Sequence, residues 1–299
     1  MRLHVVHETR YTYSSPVALS HQLLHLTPRT LPWQSCEEYR IRIEPAPGEM
    51  TERGDYYGNP TLHTLIAVPH EALLVRAESR VSVKPRAQAA LAAPRQEWEA
   101  LRESLNALSR PPLEPAEFLY DSPHVERSHE LAHYASKSFA RGRGMVDAAV
   151  DLARRIHRDF EFDRTATSVS TPLREVMKRR RGVCQDFAHL MIGALRANGL
   201  PARYVSGYLL TDPPPGRPRL VGADASHAWV SAWCGEAAGW VDLDPTNDCL
   251  VDDEHVTLGW GRDFGDVTPM RGVILGGGAQ RLAVRVTVTP SIEAIESQR

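Results

Sequence analysis

Gly182-Val-Cys184-Gln-Asp-Phe-Ala-His189 opens a run that reads as a helix reaching Asn198-Gly199, a C-terminal stop followed by Pro201. Cys184, Ala188, Met191 and Leu195 share one stripe of it. Taken alone, Cys184 is a small apolar residue on a packed face. Its place at the helix start gives it a second reading. Unpaired backbone N–H groups and the positive end of the helix dipole favour a thiolate there. The same groups would face an oxyanion if that sulfur attacked a carbonyl. Asp186 is read as a cap for the helix.

Upstream, Thr171-Pro172 predicts another helix start, with Thr171 as N-cap and Pro172 in the first turn. That helix ends in Lys178-Arg-Arg-Arg181, read as a solvated basic end favoured by the dipole. Val146, Val150, Ala153, Ile156 and Phe160 form a further helical stripe. Downstream come strands over 202–210, 227–234, 239–243 and 281–289, with the Pro-rich loop 212–218 between the first two. The first 85 residues are strand-like. Tyr39–Glu44 alternates, Gly58-Asn59-Pro60 is a turn, and Leu73–Val83 closes the set. Trp98, Leu101, Leu105 and Leu108 share one helical face within an otherwise linker-like stretch. The division expected is a β-rich domain 1–85, a linker with a helix 86–125, a core 126–275, and a strand and tail 276–299. Helices followed by strands predict an α+β core.

Ser226-His227-Ala228-Trp229-Val230 and Gly239-Trp-Val-Asp-Leu-Asp244 read as a hairpin turning near 235–237. Such a hairpin brings His227 within a few positions of Asp244 across the ladder. Separately, His227 is a strand histidine and Asp244 a turn residue before Pro245. With Cys184 they make a nucleophile, a base and a carboxylate that orients the base. Asp242 shares a strand face with Asp244, so parity leaves both open as the orienting group. Trp229 and Trp240 read as hairpin core.

Composition narrows the classes. Among 299 residues, 35 basic and 37 acidic side chains give a formal charge of −2, without the basic field of a nucleic-acid binder. No apolar run has the length of a membrane helix. The opening residues alternate at once, without the basic start and apolar block of a signal peptide. With the scattered Cys36, Cys184, Cys234 and Cys249, this predicts a cytoplasmic protein with reduced thiols. Cys234, Cys249, His255 and His227 lack the close ligand spacing of zinc sites, so neither metal nor cofactor is expected.

The segment Gly182–His189 resembles the nucleophile segment of the bacterial transglutaminase-like proteins. Gly222-Ala-Asp-Ala-Ser-His227-Ala-Trp is similar to their histidine segment, and Gly239-Trp-Val-Asp-Leu-Asp-Pro-Thr-Asn247 to their aspartate segment. The likeness extends to Thr171-Pro172 and to Gly261-Arg-Asp-Phe-Gly-Asp-Val-Thr-Pro269, and the opening strands look like the family's β-rich N-terminal domain. The resemblance implies a papain-like core with Cys184 as nucleophile, His227 as base and Asp244 as orienter, favouring Asp244 over Asp242. One position departs. Ser231 stands where the family commonly has an acidic residue. A glutamine shortly before the cysteine, the usual second oxyanion donor of papain-like enzymes, is also missing from 178–183. The expected activity is acyl transfer from an amide or isopeptide of a peptide or protein through a thioester. Release by water is preferred to release by an amine, and a silent peptide-binding module on the same fold is the alternative.

Overall fold

The computed structural model describes residues 1–107, 113–211 and 226–291. Alternation governs the N-terminus. Strand β1 (Arg2–Leu24) turns Leu3, Val5, His7 and Thr9 to one buried side. A register shift between Val17 and Leu19 changes the parity, so that Ser20, Gln22 and Leu24 are buried beyond it. β2 (Gln34–Glu44), β3 (Glu49–Gly54), β4 (Pro60–Ile66) and β5 (His70–Val83) join β1 in an antiparallel sheet ordered β2-β5-β1-β4-β3.

Helices fill the middle of the chain. The alanine run expected to be linker forms a short helix, α1 (Ala87–Ala92), with no buried residue. α2 (Trp98–Ala107) buries Trp98, Leu101 and Leu105, while Leu108 lies outside the described residues. α3 (Leu113–Glu117) and α4 (His129–Ser136) follow. On α5 (Met145–Asp159) the predicted Ala153 and Ile156 are buried, as is Phe160 just beyond the helix, together with Met145, Ala148 and Leu152, while Val146 and Val150 sit half-buried against the same core. Strand β6 (Glu161–Phe162) then leads to α6 (Leu173–Arg179). That helix starts one residue later than predicted. Pro172 is its N-cap, in extended backbone at ψ 146°, and Thr171 accepts instead from the Ser168 N–H at 2.9 Å. Arg180, in the left-handed region at φ 54°, ends it. Its guanidinium covers Phe160 at 4.6 Å, while Arg181 pairs with Glu161 at 3.0 Å. The basic end is thus used in local contacts. β7 (Arg181–Gly182) lies parallel to β6 and delivers the chain to α7 (Cys184–Ala197).

Residues 186–196 of α7 are all buried, so this helix is central and not one-striped. It packs on the second sheet, which comprises β8 (Ala202–Leu209), β9 (Ser226–Trp233), β10 (Trp240–Asp244), β11 (Cys249–Leu250) and β12 (His255–Gly261). Its order, β11-β10-β9-β8-β12, leaves β12 at one edge. The architecture is α+β, as the order of elements predicts. β13 (Met270–Gly276) and β14 (Gln280–Pro290) both pair with β1. The strand expected over 281–289 therefore closes the first sheet and does not extend the second. The Pro-rich loop 212–218 and the tail beyond 291 lie outside the described residues.

Two kinds of contact fasten the sheets together. Leu3, Val5, Val81 and Val83 of the first pack on Tyr208, Val256 and Leu258 of the second. Each such buried aliphatic side chain contributes about 1.5–3 kcal/mol. Polar contacts then cap the free edge of β12. The Gln34 amide donates to the Thr257 carbonyl at 2.8 Å and accepts from the Thr257 N–H at 2.7 Å. The Asn59 amide does the same for Trp260, at 2.8 and 2.9 Å. Two side chains thus imitate a neighbouring strand on an edge that would otherwise expose its backbone. Replacing Gln34 by Leu orphans a buried N–H group. We expect a loss of about 2 kcal/mol in urea unfolding; an unchanged midpoint would show that the amide grip is not stabilising.

Candidate active site

The start of α7 explains the position of Cys184. Val183, the N-cap, has extended backbone and no polar side-chain atom to offer. Asp186 supplies the cap from the other direction, its carboxylate accepting the Val183 N–H at 2.8 Å. Thr167 donates to the same oxygen at 2.6 Å. Burial nevertheless pushes the Asp186 carboxyl above the usual range, outweighing these bonds. Gly182 is required here, because a Cβ at that position would stand 2.7 Å from the Asp186 carboxylate. With Asp186 serving Val183, the N–H groups of the first turn stay directed at the space beside the half-buried Cys184.

His227 lies near the start of β9, directly under α7. Pairing of Val230 with Leu243 and of Ser231 with Asp242 sets the hairpin register. The resulting diagonal carries the Asp244 carboxylate to 2.6 Å from His227 Nε2. Asp244 is fully buried and fully bonded. One oxygen accepts the N–H groups of Thr246 and Asn247 at 2.9 and 3.2 Å, making the turn after β10. The other meets His227, the Asn247 amide at 2.6 Å and His255 Nε2 at 3.3 Å. Asp244 therefore has both roles that its sequence allows, turn initiator and imidazole partner. Asp242, the rival carboxylate, pairs with Arg86 at 3.1 Å instead.

Electrostatics tie the group together. Burial lowers the His227 pKa, but hydrogen bonds to Asp244 and to the Cys184 sulfur overcome it and raise the value to about 10. Burial also works against the Asp244 anion, and the donors around it hold its carboxyl well below the usual range. Nε2 is committed to Asp244, so Nδ1 is the ring nitrogen left for another partner. The sequence-proposed residues Cys184, His227 and Asp244 are thus neighbours. Two further members, Asn247 and His255, escaped the sequence reading in this role. Asn247 lies inside the quoted aspartate segment, whereas nothing local to His255 signals proximity to Asp244.

Other candidates lie elsewhere. Cys234 is buried in the main core, and burial pushes its thiol up to about 12. Cys249 is exposed on β11, apart from it. Among the described residues, His227, Asp244 and His255 are the set whose ligand atoms lie within 4.8 Å of one another, and all three are already hydrogen-bonded together. Trp229 is fully buried, and Trp240 packs against Phe118 and Trp233, both in structural roles. At the divergent position, Ser231 lies opposite Arg203 in the ladder, and the Ser231 hydroxyl and Arg203 Nε are both buried without a partner among the described residues. Arg203 is held instead by Glu114 at 3.3 Å and by the faces of Trp240 and Trp260. An acidic side chain at 231 would stand beside that guanidinium, so the departure alters a buried pairing away from Cys184.

Because the His227 pKa is raised, its ion pair stabilises the fold fully below pH about 6.5 and fades as pH climbs toward 10. The depressed Asp244 contributes above the ordinary carboxylate range and is lost only when pH falls through its lower folded value. In an imidazole NMR titration, His227 should stay protonated through neutral pH. Asp244→Asn should lower its pKa by about 1–3 units; a midpoint near 6.5 in both proteins would contradict the assigned coupling.

Comparison with known proteins identifies the family. Residues 3–82 match the bacterial transglutaminase-like N-terminal region, and residues 132–245 match the transglutaminase-like superfamily. An uncharacterized protein of Mycobacterium tuberculosis is 42% identical over 278 residues, 91% of this chain and 87% of that protein. A protein-glutamine gamma-glutamyltransferase of Pseudomonas aeruginosa is 34% identical over 123 residues, 40% of this chain and 18% of that protein. A solved Cytophaga hutchinsonii structure, a candidate cysteine protease, superposes with TM-score 0.74 at 20% identity, covering 97% of this chain and 90% of that one. With both regions matched in order and a relative aligned along nearly its whole length, the chain belongs to the transglutaminase-like superfamily, in the form that carries the bacterial N-terminal region.

Proposed function

We propose that the protein is a thiol acyl-transfer enzyme that opens an amide bond of a peptide or protein. The observation that carries this reading is the His227 imidazole bonded at 2.6 Å to a buried carboxylate, with the Cys184 sulfur among the groups that raise its pKa. A protonated His227 beside the sulfur stabilises negative charge on it, which makes it a nucleophile. The sulfur adds to the carbonyl carbon, and the N–H groups of the first turn of α7 take the developing oxyanion. Collapse breaks the C–N bond. The departing amine takes the Nδ1 proton, and Asp244 keeps the ring in register throughout. A water then adds to the thioester, giving its proton to the neutral imidazole. The acid leaves and the sulfur is restored.

Hydrolysis of a peptide, isopeptide or γ-glutamyl bond is the preferred outcome, as it requires water alone. Release by a primary amine is the second reading, favoured by the name of the Pseudomonas aeruginosa relative over the aligned 123 residues. Both routes share every step up to the thioester. Incubation with a peptide library and a labelled primary amine separates them by mass. We expect cleaved or deamidated peptides, with turnover falling by at least about 10⁴-fold in Cys184→Ala. Exclusive amine incorporation would reverse the preference. Turnover unchanged in Cys184→Ala would remove the thiol mechanism altogether.

A further inference from the structure

His255 is buried, with 3% of its surface exposed, yet among the described residues its ring makes a single polar contact. Nε2 lies 3.3 Å from the Asp244 carboxylate, on the same oxygen that holds His227. Nδ1 has no hydrogen-bond partner among the described residues. A buried ring with an orphaned nitrogen is a costly filler, and an aliphatic side chain would fill the space without that cost. What the imidazole adds is one further donor aimed at Asp244. Since the carboxylate is ionised, the Nε2 that faces it must carry a proton.

The aim of that donor is fixed from two sides. Trp229 meets the ring edge-on, with centroids 5.3 Å apart and planes at 80°. Beneath it, β12 is gripped at Thr257 and Trp260 by the Gln34 and Asn59 amides of the N-terminal region. Strand β12 is thus tied to the first sheet and presents His255 to a carboxylate on β10, across the width of the second.

We propose that His255 is a positioning residue. Its Nε2–H bond fixes the Asp244 oxygen that orients His227, and the N-terminal region sets its place through β12. The proposal rests on Cys184 and His227 acting as the reacting pair, and its test separates the two claims.

The test is the rate of iodoacetamide alkylation of Cys184 at pH 7, read by peptide mass spectrometry. It is applied to the wild type, His227→Ala, His255→Gln and His255→Met, each checked for folding by circular dichroism. Gln can place an amide N–H near the position of Nε2, whereas Met fills the volume without a donor. We expect His255→Gln to stay within threefold of wild type and His255→Met to fall at least tenfold. Equal rates in the two variants, whether high or low, would overturn the proposal, as would a faster Met variant. If wild-type Cys184 reacts no faster than in His227→Ala, the underlying thiol–imidazole reading fails, and this is a distinct outcome. Should His255→Met not fold, the nitrogen-15 imidazole spectrum of the wild type decides. Protonated Nε2 on His255 supports the assignment, and a bare Nε2 overturns it.

Discussion

A single buried carboxylate organises this molecule's candidate active site. Asp244 is removed from water, and an uncompensated anion there would be prohibitively costly. It is compensated by the turn that follows it, by His227, by Asn247 and by His255. Each compensating group is thereby fixed. The bonds that make the anion tolerable also end the β10 strand, set the tilt of the imidazole, and secure the edge strand β12 to the middle of its sheet. Stability and chemistry share the same contacts, so the site is preorganised before any substrate arrives.

The second constraint is the helix start. Cys184 is held at the first turn because Asp186 accepts from Val183, and Gly182 leaves room for that carboxylate. A short parallel bridge between 161–162 and 181–182 aims the chain into the helix. The sulfur and the imidazole then meet because α7 lies across β8 and β9. Family membership supplies the class of fold. In the proposed mechanism the release of the thioester depends on who reaches it, and residues 212–225, next to His227 in sequence, lie outside the described part of the chain.

Much of this was legible in the sequence because its determinants are local. The His227–Asp244 pair belongs to one hairpin, and hairpin register follows from the turn and the alternation of the strands. The choice between Asp242 and Asp244 was not local. Both share a face, and Arg86, far away in the chain, takes Asp242. His255 was invisible for the same reason, since its approach to Asp244 depends on strand order and not on spacing. The C-terminal strand was readable as a strand, but its partner β1 lies at the opposite end of the chain. The helical stripe of α5 was legible at Ala153, Ile156 and Phe160, which are buried, whereas Val146 and Val150 pack at the rim of the core that Met145 and Leu152 enter. Local pattern identifies the element, whereas its neighbours decide which face is buried.

The most direct measurement of the central claim is a competition among the four thiols. Cys36 is half-buried, Cys234 buried, Cys184 half-buried and Cys249 exposed. Partial burial and nearby acidic groups, Asp244 and Asp248 first, push the exposed Cys249 thiol up to about 12. Limiting alkylation of the native protein at neutral pH, with each site quantified by mass, sets exposure against activation. Preferential labelling of Cys184 is the predicted result, because the reactive species is the thiolate. Labelling led by Cys249, with Cys184 no faster than Cys36, would contradict the account.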